Sequence, residues 1–346
     1  MAEGLVKTLG VSLWDGQRRG AVSNAQTVYR PAMVPSGRAV NVREMFVEAY
    51  PRFADVCRSV DEPGIAILAV DERTGRPAGI AKLCARVMRP VAAIVGRHDH
   101  CDLYLNGSEA LSLRQFAVVL SPVASWKPGE PQVRYRVLDL KTELGMLDEE
   151  GRPLCGLRAE GPAILRCAGY ALYIMVLGDP SDWPASGADA WSMLPERVYF
   201  DELEHCAGGS MPRFRMPRDL TQSVVMRTSG PRDTGARLVG NGDVAGTLEI
   251  IGPERRTQLT VGHEALRDGI LLGRYARCDG HADDPSLSRV HTLLLHDEDR
   301  LLAIDTASCN GTRAEGEERA RVTEIGRDTL LRLGKHTRVT WRWSAG

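Results

Sequence analysis

Residues 273–279 read GRYARCD, and residues 96–102 read GRHDHCD. The shared frame is Gly-Arg, three variable residues, then Cys-Asp. A serine follows each copy: Ser112 lies ten residues past Asp102, and Ser288 nine past Asp279. Next comes a short apolar run, FAVVL (116–120) in one copy and TLLL (292–295) in the other. VLDL (137–140) then matches AID (303–305), and a Leu-Arg pair precedes the last strand of each copy, at 165–166 and 331–332. Self-similarity of this order predicts a duplicated module.

The surrounding sequence has the rhythm of strands. IAILAV (65–70), VAAIVGR (91–97), FAVVL, RYRVLDL (134–140) and ALYIMVL (171–177) are strand-length runs between turn residues. The second half repeats the pattern with TLEII (247–251), RTQLTV (256–261), GILLGR (269–274), HTLLL (291–295) and LLAID (301–305). The last two flank the polar turn HDEDR, a hairpin signal. RVTWRW (338–343) alternates, with Val339, Trp341 and Trp343 on one face and Arg338, Thr340 and Arg342 on the other. Thirty-five glycines and 19 prolines punctuate these runs, and the fold class read from them is all-β. Val42 to Ser59 has apolar residues at 46, 47, 53, 54, 56 and 57 and predicts a helix broken at Pro51. The organisation expected is an N-terminal arm (1–63) carrying that helix, a β-sandwich (64–177), a linker (178–245) with a short helix near 196–206, and a second β-sandwich (246–346).

Composition narrows the function. In 346 residues, 43% are hydrophobic and 26% charged, as in an ordinary globular protein. A formal charge of −1 supplies no global field to draw the chain onto nucleic acid or an anionic membrane. The longest apolar run, Tyr170 to Leu177, is too short to span a bilayer. The N-terminus lacks the basic-then-apolar pattern of a secretory signal, so a cytoplasmic location and reduced thiols are expected. The eight cysteines include no CxxC pair.

One set of residues carries chemistry. Gly273-Arg274 is followed by Ser288-Arg289-Val290-His291, then by Ser308-Cys309-Asn310-Gly311-Thr312. Over 246–343 this resembles the forkhead-associated (FHA) domain: a Gly-Arg strand end, a Ser-x-x-His loop, then an Asn-Gly turn past a hairpin. The resemblance implies a two-sheet β-sandwich whose apical loops bind phosphothreonine peptides. The residue types suit that ligand. A phosphothreonine carries nearly two negative charges and several acceptor oxygens. Arg274 offers a charge-assisted fork, Arg289 a second cation and Ser288 a compact donor. Asn310 has a carbonyl and an amide with which to pair a peptide main chain. Gly311 permits a tight turn. By the resemblance, His291 is architectural. Cys309 departs from the family, which usually has Thr there, and a thiol is a weak donor.

The first copy departs further. Gly96-Arg97 and Ser112 remain, but Leu113 replaces the cation and Gln115 the histidine. Thr142-Glu143-Leu144-Gly145 stands in the turn, so Leu144 replaces the asparagine and Glu143 brings a negative charge towards the phosphate position. The expectation is a degenerate FHA-like module used as scaffold, with Trp126 in its longer loop (121–133) as an anchor.

His98 and His100 share a face if they end a strand, yet no further ligand is grouped with them, so no metal is expected. No cofactor is expected either: Walker, GxSxG, HExxH and dinucleotide motifs are all missing. Thr221, Thr228 and Thr234 in the linker are accessible to a kinase, and a modified linker threonine would be an internal ligand for the second module. The function expected is a non-enzymatic phosphothreonine adaptor whose partner is a Ser/Thr kinase or its substrate, with no nucleic acid and no membrane insertion. The alternative is a phospho-independent scaffold in an assembly such as a bacterial secretion system.

Overall fold

The computed structural model describes residues 41–123, 133–149, 151, 153–154, 156–194, 237–240, 243–327 and 329–344. The arm before residue 41, Trp126, the helix expected at 196–206 and the linker threonines Thr221, Thr228 and Thr234 lie outside the described residues.

Two β-sandwiches of matching topology follow an opening helix, α1 (Val42–Arg58). In the first, one sheet is formed by β1 (Gly64–Asp71), β2 (Pro77–Cys84), β7 (Met146–Asp148), β8 (Pro153–Leu154), β10 (Ala163–Cys167) and β11 (Tyr170–Leu177), in the order β2-β1-β11-β10-β7-β8. The other sheet is formed by β3 (Val91–Gly96), β4 (Leu103–Tyr104), β5 (Phe116–Leu120), β6 (Tyr135–Asp139) and β9 (Gly156–Ala159), in the order β4-β3-β5-β6-β9.

The second sandwich repeats both sheets. β12 (Arg237–Val239), β13 (Val244–Ile251), β14 (Arg256–Gly262), β19 (Thr312–Ala314), β21 (Leu330–Leu333) and β22 (Thr337–Trp343) run β12-β14-β13-β22-β21-β19. A short helix, α3 (His263–Asp268), leads into the other sheet. There β15 (Ile270–Gly273), β16 (Gly280–His281), β17 (Thr292–Asp297), β18 (Arg300–Asp305) and β20 (Val322–Glu324) run β16-β15-β17-β18-β20. The equivalence extends to strand sense, since β4 pairs parallel with β3 and β16 parallel with β15.

Burial explains why some strands read as unbroken apolar runs while others alternate. Phe116, Val118 and Leu120 fill the first sandwich, whereas Ala117 and Val119 on the opposite face of β5 pack outward against the second sandwich. Leu293 and Leu295 of β17, with Leu302 and Ile304 of β18, meet them from the other side. Strands covered on both faces carry apolar residues at every position. The outer sheet of the second sandwich has one covered face, and β13 alternates: Leu248 and Ile250 point in, while Thr247 and Glu249 are only partly buried. The two sandwiches therefore stack through their five-stranded sheets. Polar contacts rim this inter-module core. Arg136, nearly buried, meets Asp297 at 3.4 Å and donates to Arg267 O at 2.7 Å. Lys141 pairs with Asp279, and Arg321 reaches Asp102 at 3.2 Å.

The outer face of β1 and β11 is covered by α1 and by α2 (Gly187–Met193). Helix α1 runs unbroken through Pro51, contrary to the sequence expectation. An internal proline costs about 3 kcal/mol. Met45, Phe46, Ala49, Tyr50, Phe53, Ala54 and Cys57 are all buried, at roughly 1.5–3 kcal/mol for each large side chain, so packing outweighs the defect. Val56, read as part of the apolar face, is instead exposed. The segment 178–245 also differs from a simple linker, because both ends are folded. Trp183 and Ala190 are buried against α1, and Tyr50 donates its hydroxyl to Pro184 O at 2.8 Å. At the other end β12 adds a parallel edge strand beside β14. Val339 and Trp341 are buried as their alternation predicts, but Trp343 is 39% exposed because β22 runs past the core at its end.

Candidate functional site

The Cys-Asp pair of each repeat is a loop fastener. After β15 the chain turns, and the Cys278 N–H donates to Tyr275 O at 2.9 Å. The Asp279 carboxylate accepts the Leu271 N–H at 2.9 Å, and the Cys278 thiol donates to Arg289 O at 3.3 Å. Cys101 and Asp102 do the same in the first sandwich, towards Leu113 O at 3.3 Å and from Ile94 N at 2.8 Å. Burial raises the pKa of both thiols, that of Cys278 to about 12, which keeps them protonated donors. The residue before each arginine must be glycine. A Cβ on Gly273 would lie 2.3 Å from Arg289 O, and one on Gly96 would lie 2.4 Å from Leu113 O. This close approach holds the Gly-Arg strand end against the serine loop.

His291, wholly buried, joins the three blocks of the site. Its Nδ1 accepts the Ser288 N–H at 3.0 Å, which leaves the proton on Nε2 to donate to Gly311 O at 3.1 Å. Burial lowers its pKa, so the neutral ring is the resident form. Asp305 orders the next loop: it accepts from the Ser308 N–H at 2.8 Å, the Ser308 hydroxyl at 2.6 Å and the Thr312 hydroxyl at 2.9 Å. Ala307 and Gly311 then turn at φ 60° and 77°.

The remaining residues lie on this frame. Arg274 and Arg289 are exposed, with no acidic side chain at ion-pair distance among the described residues. Arg274 is steered by one bond, Nε to Leu287 O at 3.2 Å. Ser288 Oγ accepts the Cys309 N–H at 3.1 Å. Cys309 is exposed beside it. Asn310 differs from expectation in part, because its amide donates to Ser286 O at 2.7 Å. That bond engages one of its two amide N–H groups and leaves Oδ1 free to accept. The structure thus brings Arg274, Ser288, Arg289, Cys309 and Asn310 to one end of the second sandwich, supported by Gly273, His291 and Gly311.

The first sandwich keeps the frame with different residues. Gln115 replaces the histidine closely: its Oε1 accepts the Ser112 N–H at 3.0 Å and its Nε2 donates to Gly145 O at 3.2 Å. Thr142 bonds to Asp139 as Ser308 does to Asp305. Burial lifts the pKa of Asp139 to about 6, against the pull of its Thr142 hydrogen bonds. Leu144 is exposed where the second copy has Asn310, and Glu143 pairs across the modules with Arg277 at 3.3 Å. His98 and His100 are not on a strand, since β3 ends at Gly96. A turn brings their ligand atoms and that of Asp99 within 4.8 Å of one another, but His98 Nδ1 already accepts the His100 N–H at 3.1 Å.

One residue escaped the sequence reading. Arg114 of the first sandwich is 7% exposed and ends among the site loops of the second. Its Nε donates to Thr306 O, and its Nη2 donates to Ala307 O at 2.6 Å and reaches Ser288 Oγ at 3.5 Å. No local pattern marks it, because its partners lie nearly two hundred positions away.

No curated protein matches the chain. Among solved structures, the chain is similar to the first FHA domain of Mycobacterium tuberculosis Rv1747, at 23% identity over 29% of this chain and 99% of that one, with TM-score 0.24. It is similar to the FHA domain of CT664 from Chlamydia trachomatis, at 18% identity over 29% and 99%, with TM-score 0.26. It is also similar to Mycobacterium tuberculosis EmbR in complex with a low-affinity phosphopeptide, at 21% identity over 36% of this chain and 29% of that one, with TM-score 0.25. Residues 270–334 match the family model of the FHA domain. The chain carries an FHA domain in its C-terminal sandwich, preceded by a second, FHA-like β-sandwich in its N-terminal half.

Proposed function

We propose that the chain is a non-enzymatic, cytoplasmic adaptor whose C-terminal FHA domain binds phosphothreonine peptides in Ser/Thr-kinase signalling. The observation that carries this reading is a pair of exposed cations without acidic partners among the described residues, Arg274 and Arg289, beside Ser288 and Cys309 on a buried, hydrogen-bonded frame. Arg274 meets the phosphate with its guanidinium fork and Arg289 adds charge. Ser288 donates its hydroxyl proton, which none of its loop bonds uses. Cys309 lines the phosphate position as a weak donor. Asn310 holds the peptide main chain through Oδ1. Gly273, His291 and Gly311 support the loops. The partner is a phosphothreonine-bearing protein, a Ser/Thr kinase or its substrate. The first module serves as scaffold, because Leu144 and Glu143 occupy the places of Asn310 and Cys309. Among the described residues no helix is long and apolar enough to cross a membrane.

The test is binding of a fluorescent, degenerate phosphothreonine peptide pool to the full chain, with unphosphorylated and phosphoserine pools and Arg274→Ala in parallel. Binding that requires both the phosphate and Arg274 is expected. Equal binding of phosphorylated and unphosphorylated pools by folded protein refutes the reading.

A further inference from the structure

Arg114 is a buried cation without a carboxylate partner at ion-pair distance among the described residues. The carboxylate that acts on its charge is Asp305, which is already engaged by Ser308, Thr312 and Arg321. The guanidinium is met by two carbonyls, Thr306 O and Ala307 O, and by Ser288 Oγ. The Cys309 thiol also lies against it. A charge withdrawn from water and met only by neutral partners is costly, yet an arginine stays protonated in any protein environment. The arrangement is coherent if an anion arrives beside it.

The surroundings indicate where. Arg114 touches Ser288 and Cys309, which line the phosphate position in the reading above, and the Thr306–Ala307 turn that leads into Cys309. Its bond to Ala307 O holds a non-glycine residue at φ 60°. Its approach to Ser288 Oγ, with the Cys309 N–H at 3.1 Å, occupies the acceptor side of that hydroxyl and leaves the proton to be donated outward. The repeat adds a second argument. Ser112, Leu113, Arg114 and Gln115 are the counterparts of Ser288, Arg289, Val290 and His291, so the arginine stands where the second copy has valine. The first module has lost an outward cation at Leu113 and carries one at the next position, aimed across the module interface.

Resting on the reading above, we propose that the phosphate site is composite: Arg114 of the first module completes the phosphothreonine site of the second, positioning Ser288 and the 306–309 loop and countering the charge of the bound phosphate. The first module is then part of the reader, and phosphopeptide affinity depends on how the two sandwiches pack.

The test uses the full chain and the phosphothreonine pool, with Arg274→Ala, Arg114→Gln and Arg114→Lys, read by fluorescence anisotropy over a series of salt concentrations. Gln keeps an amide donor for the two carbonyls and removes the charge, whereas Lys keeps the charge. R114Q is expected to bind at least tenfold more weakly with a flatter salt dependence, and R114K within about threefold of wild type. A merely structural arginine would leave the salt dependence unchanged. R114Q binding within twofold of wild type, while R274A loses binding, overturns the composite site and leaves the phosphothreonine reading standing. Failure of wild type to prefer the phosphorylated pool overturns both. Should R114Q not fold, the wild-type chain decides: saturation with the phosphothreonine pool is expected to shift the Arg114 Nε–H resonance, assigned through R114K, and an unmoved resonance overturns the proposal.

Discussion

Replacing His291 tests the frame on which the site rests, and the first module shows the result of one such replacement. His291→Ala leaves the buried Ser288 N–H without its acceptor at 3.0 Å. Gly311 O keeps a partner, because the Gly334 N–H also donates to it at 3.2 Å. The loss is thus one orphaned buried N–H, about 1–3 kcal/mol, plus the cavity left by an imidazole, for a total of roughly 3–5 kcal/mol. His291→Gln is different, since Gln115 already spans the same two backbone groups in the first module, from Ser112 N at 3.0 Å to Gly145 O at 3.2 Å. Gln at 291 is expected to cost no more than about 1 kcal/mol at pH 8.

Acid makes the comparison sharper. Burial holds the His291 pKa below the ordinary imidazole value of about 6.5. As pH falls through that ordinary value, the unfolded chain takes up a proton that the folded chain refuses. The stability from the neutral ring is therefore complete above about pH 6.5 and is lost as pH falls towards the folded-state pKa, by at most about 2 kcal/mol between pH 8 and pH 5. Glutamine does not titrate, so the gap between wild type and H291Q narrows in acid, while His98 and His296 contribute equally to both proteins. Urea unfolding of wild type, H291A and H291Q at pH 8 and pH 5 measures all of this. Equal losses for H291Q and H291A, or a gap between wild type and H291Q that widens in acid, refute the reasoning.

Other outcomes follow from the same geometry. Cys309→Thr supplies a stronger donor at the phosphate position and is expected to tighten phosphothreonine-peptide binding by about 1 kcal/mol, near fivefold; unchanged or weaker anisotropy-derived affinity counts against this placement. Arg97→Ala is expected to leave that affinity unchanged, because Leu144 and Glu143 have already altered the first module's own site, and a measurable loss would show that site to be in use. Leu295→Ala empties a wholly buried position between the two sandwiches and is expected to cost about 2–5 kcal/mol in urea unfolding; a cost under about 1 kcal/mol would mean that the sheets are not packed in solution.

Much of this protein is written locally. Strand lengths, the β17–β18 hairpin and the duplicated Gly-Arg/Cys-Asp/Ser frame are legible because turn residues and side-chain alternation act over a few positions. The candidate site residues are legible through three short blocks whose resemblance to the FHA domain puts Arg274, Ser288 and Asn310 at three loops of one sandwich. The role of the Cys-Asp pair became clear only from the loops it fastens. Helix α1 shows the limit of local reading, since the cost of Pro51 was visible in sequence while the apolar sheet that outweighs it was not. The unbroken runs FAVVL and LLAID read as strands, but an apolar run does not report what covers its two faces. Only the tertiary structure showed that the two modules cover each other, and only that packing carries Arg114 into the loops of the second. Such a placement depends on contacts between residues nearly two hundred positions apart, about which local spacing holds no information.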